Sequence, residues 1–127
     1  MVEVTHDPIT KAIKIDKVTA LIDLGIAVNP DNVKNQIEGA VIMALSAATK
    51  PGITFKNGVV EQNNFYDSPV PRMNEAPPVE VHILADGSRI KGVGEPGIPP
   101  FAPALANAIF AATGKRIRKM PFDLSMS

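Results

Sequence analysis

The residue in this chain best suited to chemistry is Glu95, in the segment Gly92-Val93-Gly94-Glu95-Pro96-Gly97-Ile98-Pro99-Pro100. Glycines before Glu95 allow the backbone to approach another group closely, and the prolines after it stiffen the chain. A carboxylate on a stiff loop that leads into a helix is well placed to act as a general base. The alternative is a surface turn whose glutamate is solvated. The segment is not a phosphate-binding loop, because it lacks the third glycine and the Lys-Ser/Thr pair.

Gln36 and Gly39 lie in the middle of a predicted helix, and each indicates a contact outside it. Glycine inside a helix costs roughly 0.5–1 kcal/mol relative to alanine, so Gly39 predicts the close approach of a neighbour. Gln36 is placed to reach a polar ligand, and its alternative is an ordinary exposed helix residue.

Other kinds of site have less support. The chain has no cysteine, which excludes disulfides, iron–sulfur ligation and thiol nucleophiles within it. His6 and His82 are isolated in predicted strands, whereas zinc needs three or four clustered ligands. No Ser/His/Asp set is visible. Arg72 and Glu75 are expected to pair or to tie down a proline-rich coil, with a direct substrate contact as the alternative.

Composition limits the class of protein. The 127 residues suit one domain, and 45% of them are apolar. Lys+Arg and Asp+Glu number 13 each, so no basic face for nucleic acid is expected. The longest apolar run, residues 40–45, is too short to span a membrane, which needs about 20 residues. We expect a cytoplasmic location and leave a periplasmic one open.

Local patterns predict the elements that position these residues. Alternating apolar residues predict strands at 2–6, 12–23 and 79–84, with a bulge near Asp16 and a short further strand at 89–91. Asn57-Gly58 predicts a hairpin. Two helices are expected at about residues 30–48 and 102–113, the first capped by Asn29 with Pro30 as its first residue.

These elements predict an α+β fold, with a small, mostly antiparallel or mixed sheet packed against the two helices. The second half of the first helix and nearly all of the second are apolar on every side. Either the helices pack on each other beneath the sheet, or another protein covers them. The second option is typical of a fragment of something larger.

Three segments taken together resemble the C-terminal part of the molybdopterin-binding subunit of xanthine dehydrogenase-type molybdenum hydroxylases, nearest to the isoquinoline 1-oxidoreductase beta subunits. Their order and spacing match over almost the whole chain. The segments are Asp23-Leu24-Gly25-Ile26-Ala27-Val28-Asn29-Pro30 through Gln36-Ile37-Glu38-Gly39, Asn64-Phe65-Tyr66-Asp67 through Val79-Glu80-Val81-His82, and Gly92-Val93-Gly94-Glu95-Pro96-Gly97 through Thr113-Gly114.

The resemblance implies a fold, a cofactor and a role for each site residue. Glu95 would be the catalytic base that takes a proton from a hydroxyl on molybdenum, and oxidation would fall on an N-heterocycle or an aldehyde. Gln36, Gly39 and Gly94 would contact molybdopterin, expected in its cytosine dinucleotide form. Iron–sulfur clusters would lie on a partner subunit, and the rest of the molybdenum subunit would complete the site.

The chain also departs from the family pattern. It corresponds to only part of a subunit of several hundred residues, so residues 1–127 are expected to be a single-domain C-terminal fragment that is inactive alone. Ala40 and Ala44 stand where the family often has glycine, and their methyl groups are expected to narrow the cofactor space. The competing hypothesis is a non-catalytic assembly or interaction module, in which Glu95 is idle and the chain forms a homo-oligomer or docks through its apolar faces.

Overall fold

The structure is a computed structural model, and it describes residues 1–125. Its main sheet has three strands in the order β1-β2-β5: β1 (Val2–His6), β2 (Ile13–Asp23) and β5 (Val79–Leu84). β1 and β2 are antiparallel, whereas β2 and β5 are parallel, so the sheet is mixed as expected. The pairing shifts register between Glu3 and Val4, which leaves Asp16 as the extra residue of the predicted bulge.

Helix α1 (Pro30–Thr49) begins where its capping residues predict. The side chain of Asn29 accepts a hydrogen bond from the Asn32 backbone N–H at 3.1 Å, which satisfies one donor of the first turn. Seven residues of the helix are buried along one face, and Ala48 is fully covered. The prediction that the second half is buried on most sides is only partly right, because Met43 is 66% exposed.

Helix α2 (Phe101–Thr113) carries the deepest part of the core. Leu105 and Ile109 are both fully buried, and the helix packs against β1 and α1. Gly114 ends the helix in the left-handed conformation with φ of +73°, as expected for a residue with no side chain. The two helices thus pack together on one side of the sheet.

The buried apolar residues form two clusters. The larger one joins β1 and β2 to the C-terminal half of α1 and to α2, and it includes Phe122. The smaller one joins the end of β2 to the first half of α1 through Ile22, Leu24, Val33 and Ile37. Both clusters meet α1, so this helix is the element against which the neighbouring loops are positioned.

The predicted strand at residues 89–91 is wrong. This segment is coil, held by one backbone hydrogen bond from the Lys91 N–H to the Leu24 carbonyl at 3.0 Å. The reason is the close packing of the coil on Gly25, where a β-carbon would lie 2.3 Å from the Arg89 carbonyl oxygen. The chain therefore crosses over the end of β2 instead of pairing along it.

Residues 51–74, which we call the arm, extend from the end of α1. The predicted hairpin is present in it as β3 (Phe55–Lys56) and β4 (Val59–Val60), with Asn57 and Gly58 both at positive φ. No residue of the arm belongs to either apolar cluster described for residues 1–125. Neither helix of that part of the chain is long and apolar enough to cross a membrane.

Candidate functional site

The loop that carries Glu95, residues 92–100, is anchored to the body on both sides of the glutamate. Val93 packs against the smaller apolar cluster, and Ile98 packs against the larger one. Two successive turns follow Glu95: its carbonyl accepts from the Ile98 N–H at 3.0 Å, and the Ile98 carbonyl accepts from the Phe101 N–H at 3.3 Å. The position of the glutamate backbone is therefore set by core packing and by the start of α2.

Gly97 brings this loop into direct contact with α1. A β-carbon at Gly97 would lie 2.7 Å from the Ala40 β-carbon and 3.4 Å from the Ile37 carbonyl oxygen. Carbon atoms pack at about 3.5–4.0 Å, so only glycine allows this approach. The residue two positions after Glu95 is thus seated on the middle of α1, one turn beyond Gln36.

Gln36 and Gly94 line the same surface depression, whose volume is about 410 Å³. Its floor is apolar, with Leu24, Val33 and Val93, and its rim carries the polar side chains of Asn32 and Lys91. Since Glu95 follows Gly94 directly, its Cα lies about 3.8 Å from a residue of this depression. The fold therefore brings Gln36 into the same region as Gly94 and Glu95, which are distant from it in sequence.

The Glu95 side chain is exposed, and within residues 1–125 no hydrogen bond or ion pair engages its carboxylate. Gln36 is likewise exposed, and no described residue bonds to its amide. Both side chains are consequently free to bind a group that approaches α1 and the loop from outside.

Gly39 and Gly94 have no close neighbour within the described residues, so the prediction that another group approaches them stays a prediction. A β-carbon at either position would meet nothing within 4 Å among the atoms of this chain. The close approaches occur instead at Gly97 and Gly25, for which the residue pattern predicted no such contact. The small alanine residues at the centre of α1 indicate that another segment can pack closely there. The sequence does not show that this segment is the Gly97 loop.

Ala40 and Ala44 do not line the open side of the loop. Ala40 is 4% exposed and lies under Gly97, and Ala44 is 3% exposed within the larger cluster. The expectation that their methyl groups narrow the cofactor space is therefore wrong for this chain, because those methyl groups fill space inside the body. Ala40 instead sets how closely the Glu95 loop approaches α1.

An apolar cavity of about 200 Å³ lies on the inner side of the same loop. Pro96 and Gly97 form part of its wall, together with Ile37 and Val41 of α1 and the first residues of α2. The Glu95 loop thus separates a polar-rimmed depression from an apolar cavity.

Away from the Glu95 loop, His82 and Glu80 belong to a small group of ion pairs on the sheet. His82 Nε2 lies 3.0 Å from Glu80 Oε1, and Lys17 also pairs with Glu80, which lowers the pKa of that glutamate. Within residues 1–125 no group of three or more His, Asp or Glu residues is arranged to hold a metal ion.

Glu75 ties down the proline-rich coil as expected, but its ionic partner is not Arg72. Its carboxylate accepts from the Arg72 backbone N–H at 2.6 Å and pairs with the Lys50 ammonium. The Lys50 ammonium and then the Arg72 N–H lower the pKa of the Glu75 carboxyl from its ordinary value of 4.5. Because Lys50 precedes the arm and Glu75 follows it, this ion pair closes the arm at its base.

The chain is similar to known proteins over most of its length. A family model described as a molybdopterin cofactor-binding domain matches residues 1–77. The chain is 32% identical to the beta subunit of isoquinoline 1-oxidoreductase from Brevundimonas diminuta over 94% of its length. It is also 32% identical to the large subunit of nicotine 6-hydroxylase from Paenarthrobacter nicotinovorans over 81%. It spans only 15% and 13% of those relatives' lengths.

A solved structure supports the same fold. The chain superposes on quinoline 2-oxidoreductase from Pseudomonas putida 86 with a TM-score of 0.80 and 24% identity, over 93% of this chain and 16% of that one. The mixed sheet with two helices is therefore a recurring unit within a much longer polypeptide.

Proposed function

Because the chain belongs to the molybdopterin cofactor-binding domain family of the molybdenum hydroxylases, we propose that it supplies the general base and one wall of a molybdopterin site. One observation carries the proposal. Gly97 seats the loop on α1, so that the free carboxylate of Glu95 and the free amide of Gln36 are held in one region of the molecule. General bases are effective when their position is set before the substrate arrives.

The residues present are compatible with a pterin cofactor. A pterin is a flat, polar heterocycle that needs donors, acceptors and close access to backbone. Gln36 offers both a donor and an acceptor on one amide. Gly39 and Gly94 leave open space where a side chain would otherwise stand. These three residues are the cofactor contacts that we propose.

Glu95 would take up a proton from the reacting group and release it again, and its exposure leaves the carboxylate accessible for both steps. When bound, the cofactor would supply the oxidation chemistry, which amino-acid side chains do not perform. The substrate class that we propose is an N-heterocycle or an aldehyde.

The complete site requires more polypeptide than this chain contains. We propose that the remainder of the molybdenum subunit holds the rest of molybdopterin, in its cytosine dinucleotide form, and that an iron–sulfur subunit accepts the electrons. Since the chain spans 15% of its isoquinoline-oxidising relative, we expect no turnover from the chain alone.

The experiment is the exchange Glu95→Gln in the chain assembled with a molybdenum subunit and its iron–sulfur partner. Removing a general base typically costs about 10²–10⁴-fold in rate, so kcat should fall by that factor while molybdenum and pterin content stay unchanged. Glu38→Gln is the matched control, because Glu38 is another exposed carboxylate and lies on α1 rather than on the Glu95 loop.

Two results would contradict the assignment. If Glu95→Gln keeps the activity of the control, Glu95 is not the base. If the assembled chain never acquires pterin or molybdenum, the domain acts as an assembly module, which its exposed apolar arm would also suit.

A further inference from the structure

The arm carries a large share of the apolar side chains that the body of the chain leaves uncovered. Nearly half of the large apolar side chains exposed in residues 1–125 lie within it, and several are more than two-thirds exposed. These exposed residues are Ile53, Phe55, Val59, Val60, Phe65, Tyr66, Val70 and Met73. A concentration of exposed apolar side chains in one segment is typical of a site of protein interaction.

The arm is also ordered without a core of its own. Asp67 closes a tight turn by accepting from the N–H groups of Asn63 at 3.1 Å and Asn64 at 2.9 Å. The bond from the Asn63 N–H, followed by that from Asn64, lowers the pKa of the Asp67 carboxyl. This turn displays Phe65, 77% exposed, and Tyr66, 78% exposed. The backbone that carries these two aromatic rings is thus fixed by hydrogen bonds, while the rings themselves stay exposed.

Such an arrangement is suited to binding, because less conformational entropy is lost when an anchor is already positioned. The chemistry of the arm agrees. Interface centres are rich in Tyr, Phe and Met and poor in free charge. The single tyrosine of the chain lies here, and the carboxylates of Glu61 and Asp67 are engaged by Thr54 and by backbone N–H groups. The other charged residues of the arm are the two cations Lys56 and Arg72.

The lengths of the relatives indicate what covers the arm. The family match runs to residue 77 and so includes the whole arm. The isoquinoline-oxidising relative, however, is matched over only 15% of its length, and the nicotine hydroxylase over 13%. Much more polypeptide of the same subunit is therefore present in those proteins than in this chain.

We propose that the arm docks this domain onto the remaining polypeptide of a molybdenum-binding subunit, with Phe65 and Tyr66 as the anchors and the Lys50–Glu75 pair holding the base closed. The proposal rests on the proposed function for its family assignment, but it does not need Glu95 to be a base. Docking and proton transfer use different parts of the molecule: the first depends on the arm and the second on the Glu95 loop.

The test uses the beta subunit of isoquinoline 1-oxidoreductase from Brevundimonas diminuta, lacking the segment that matches this chain, as an immobilised probe. The present chain is added as wild type and as the double variant Phe65→Ser with Tyr66→Ser. Loss of aromatic anchors should weaken binding by at least about tenfold. Ile9→Ser is the matched control, because Ile9 is 89% exposed in the turn between β1 and β2, and its binding should match wild type.

Met73→Ser provides a second arm variant, since Met73 is 96% exposed and its replacement leaves the aromatic turn intact. It should also weaken binding, and the melting temperatures of all variants should equal that of wild type. Equal binding by all variants, or no binding by wild type, overturns the proposal. So does a concentration-dependent dimer of the wild-type chain that the double variant abolishes, because the occupant would then be a second copy.

The outcomes separate this proposal from the proposed function. Loss of docking in the arm variants with full activity of assembled Glu95→Gln would sustain the docking role and reject the base. Unchanged docking in the arm variants together with an inactive Glu95→Gln enzyme would reject the docking role and sustain the base.

Discussion

The Glu95 loop and the arm are both coil rich in proline and glycine, but they differ in what holds them. The loop buries Val93 and Ile98 against the two apolar clusters and seats Gly97 on α1. The arm is held by one ion pair at its base and by hydrogen bonds within its own turns, while its apolar side chains face outward. Similar composition therefore does not indicate similar packing: the loop is packed against the body of this chain, and the arm leaves its apolar side chains uncovered.

The largest expected effect contrasts the core behind the loop with the tip of the arm. Leu105→Ala removes a fully buried side chain from α2 and should cost about 2–5 kcal/mol in the free energy of unfolding. Phe65→Ala should change the free energy of unfolding by no more than about 0.5 kcal/mol, because the Phe65 side chain is not buried in a core. Urea denaturation of the isolated chain measures both, and similar losses would mean that the arm is packed after all.

A smaller effect tests the contact beneath Glu95. Gly97→Ala places a methyl group against Ala40 and should destabilise the chain by about 1–3 kcal/mol through overpacking. Gly94→Ala is the matched control, since a β-carbon there meets no atom within 4 Å. Adding Ala40→Gly should restore part of the loss in Gly97→Ala. Equal melting temperatures for the two single variants would disprove the contact.

Gly39→Ala should change stability in the opposite direction. The position is inside α1 and a β-carbon there has free space, so alanine should stabilise the isolated chain by about 0.5–1 kcal/mol. In an assembled enzyme the same change should lower pterin content, because the methyl group would enter the space that we assign to the cofactor. A stabilised chain with normal pterin content would remove Gly39 from the site.

The smallest effect concerns the base of the arm. The folded state lowers the pKa of Glu75, so its stabilising contribution is present above the ordinary value of 4.5 and is lost as pH falls below it, through the lowered value. The Arg72 amide NMR resonance should report this titration, because that N–H donates to Glu75. Lys50→Met should move the titration upward, towards 4.5. An unchanged midpoint in Lys50→Met would show that the ion pair does not close the arm.

Features specified by neighbouring residues were predicted correctly. Asn29 and Pro30 start α1, Asn57-Gly58 turns the hairpin, and Gly114 ends α2, because each effect acts within one turn of backbone. The α+β class with two helices and a small sheet was also predicted correctly. The structure decided between the alternatives that were left open, because its sheet is mixed and its two helices pack on each other. The assignment of Glu95 as base and of Gln36, Gly39 and Gly94 as cofactor contacts stays a prediction.

Contacts between distant residues could not be obtained in this way. The supposed strand at 89–91 is coil because it crosses over Gly25, and Ala40 faces the loop rather than a cofactor because Gly97 lies against it. The amino-acid sequence alone was enough for the turns and the caps, since these depend on residue types at short spacing, and for the family, since its three segments match in order over almost the whole chain. Only the tertiary structure decided which glycine makes the close contact and which apolar coil remains uncovered, because both depend on the shape of surfaces that form when remote segments meet.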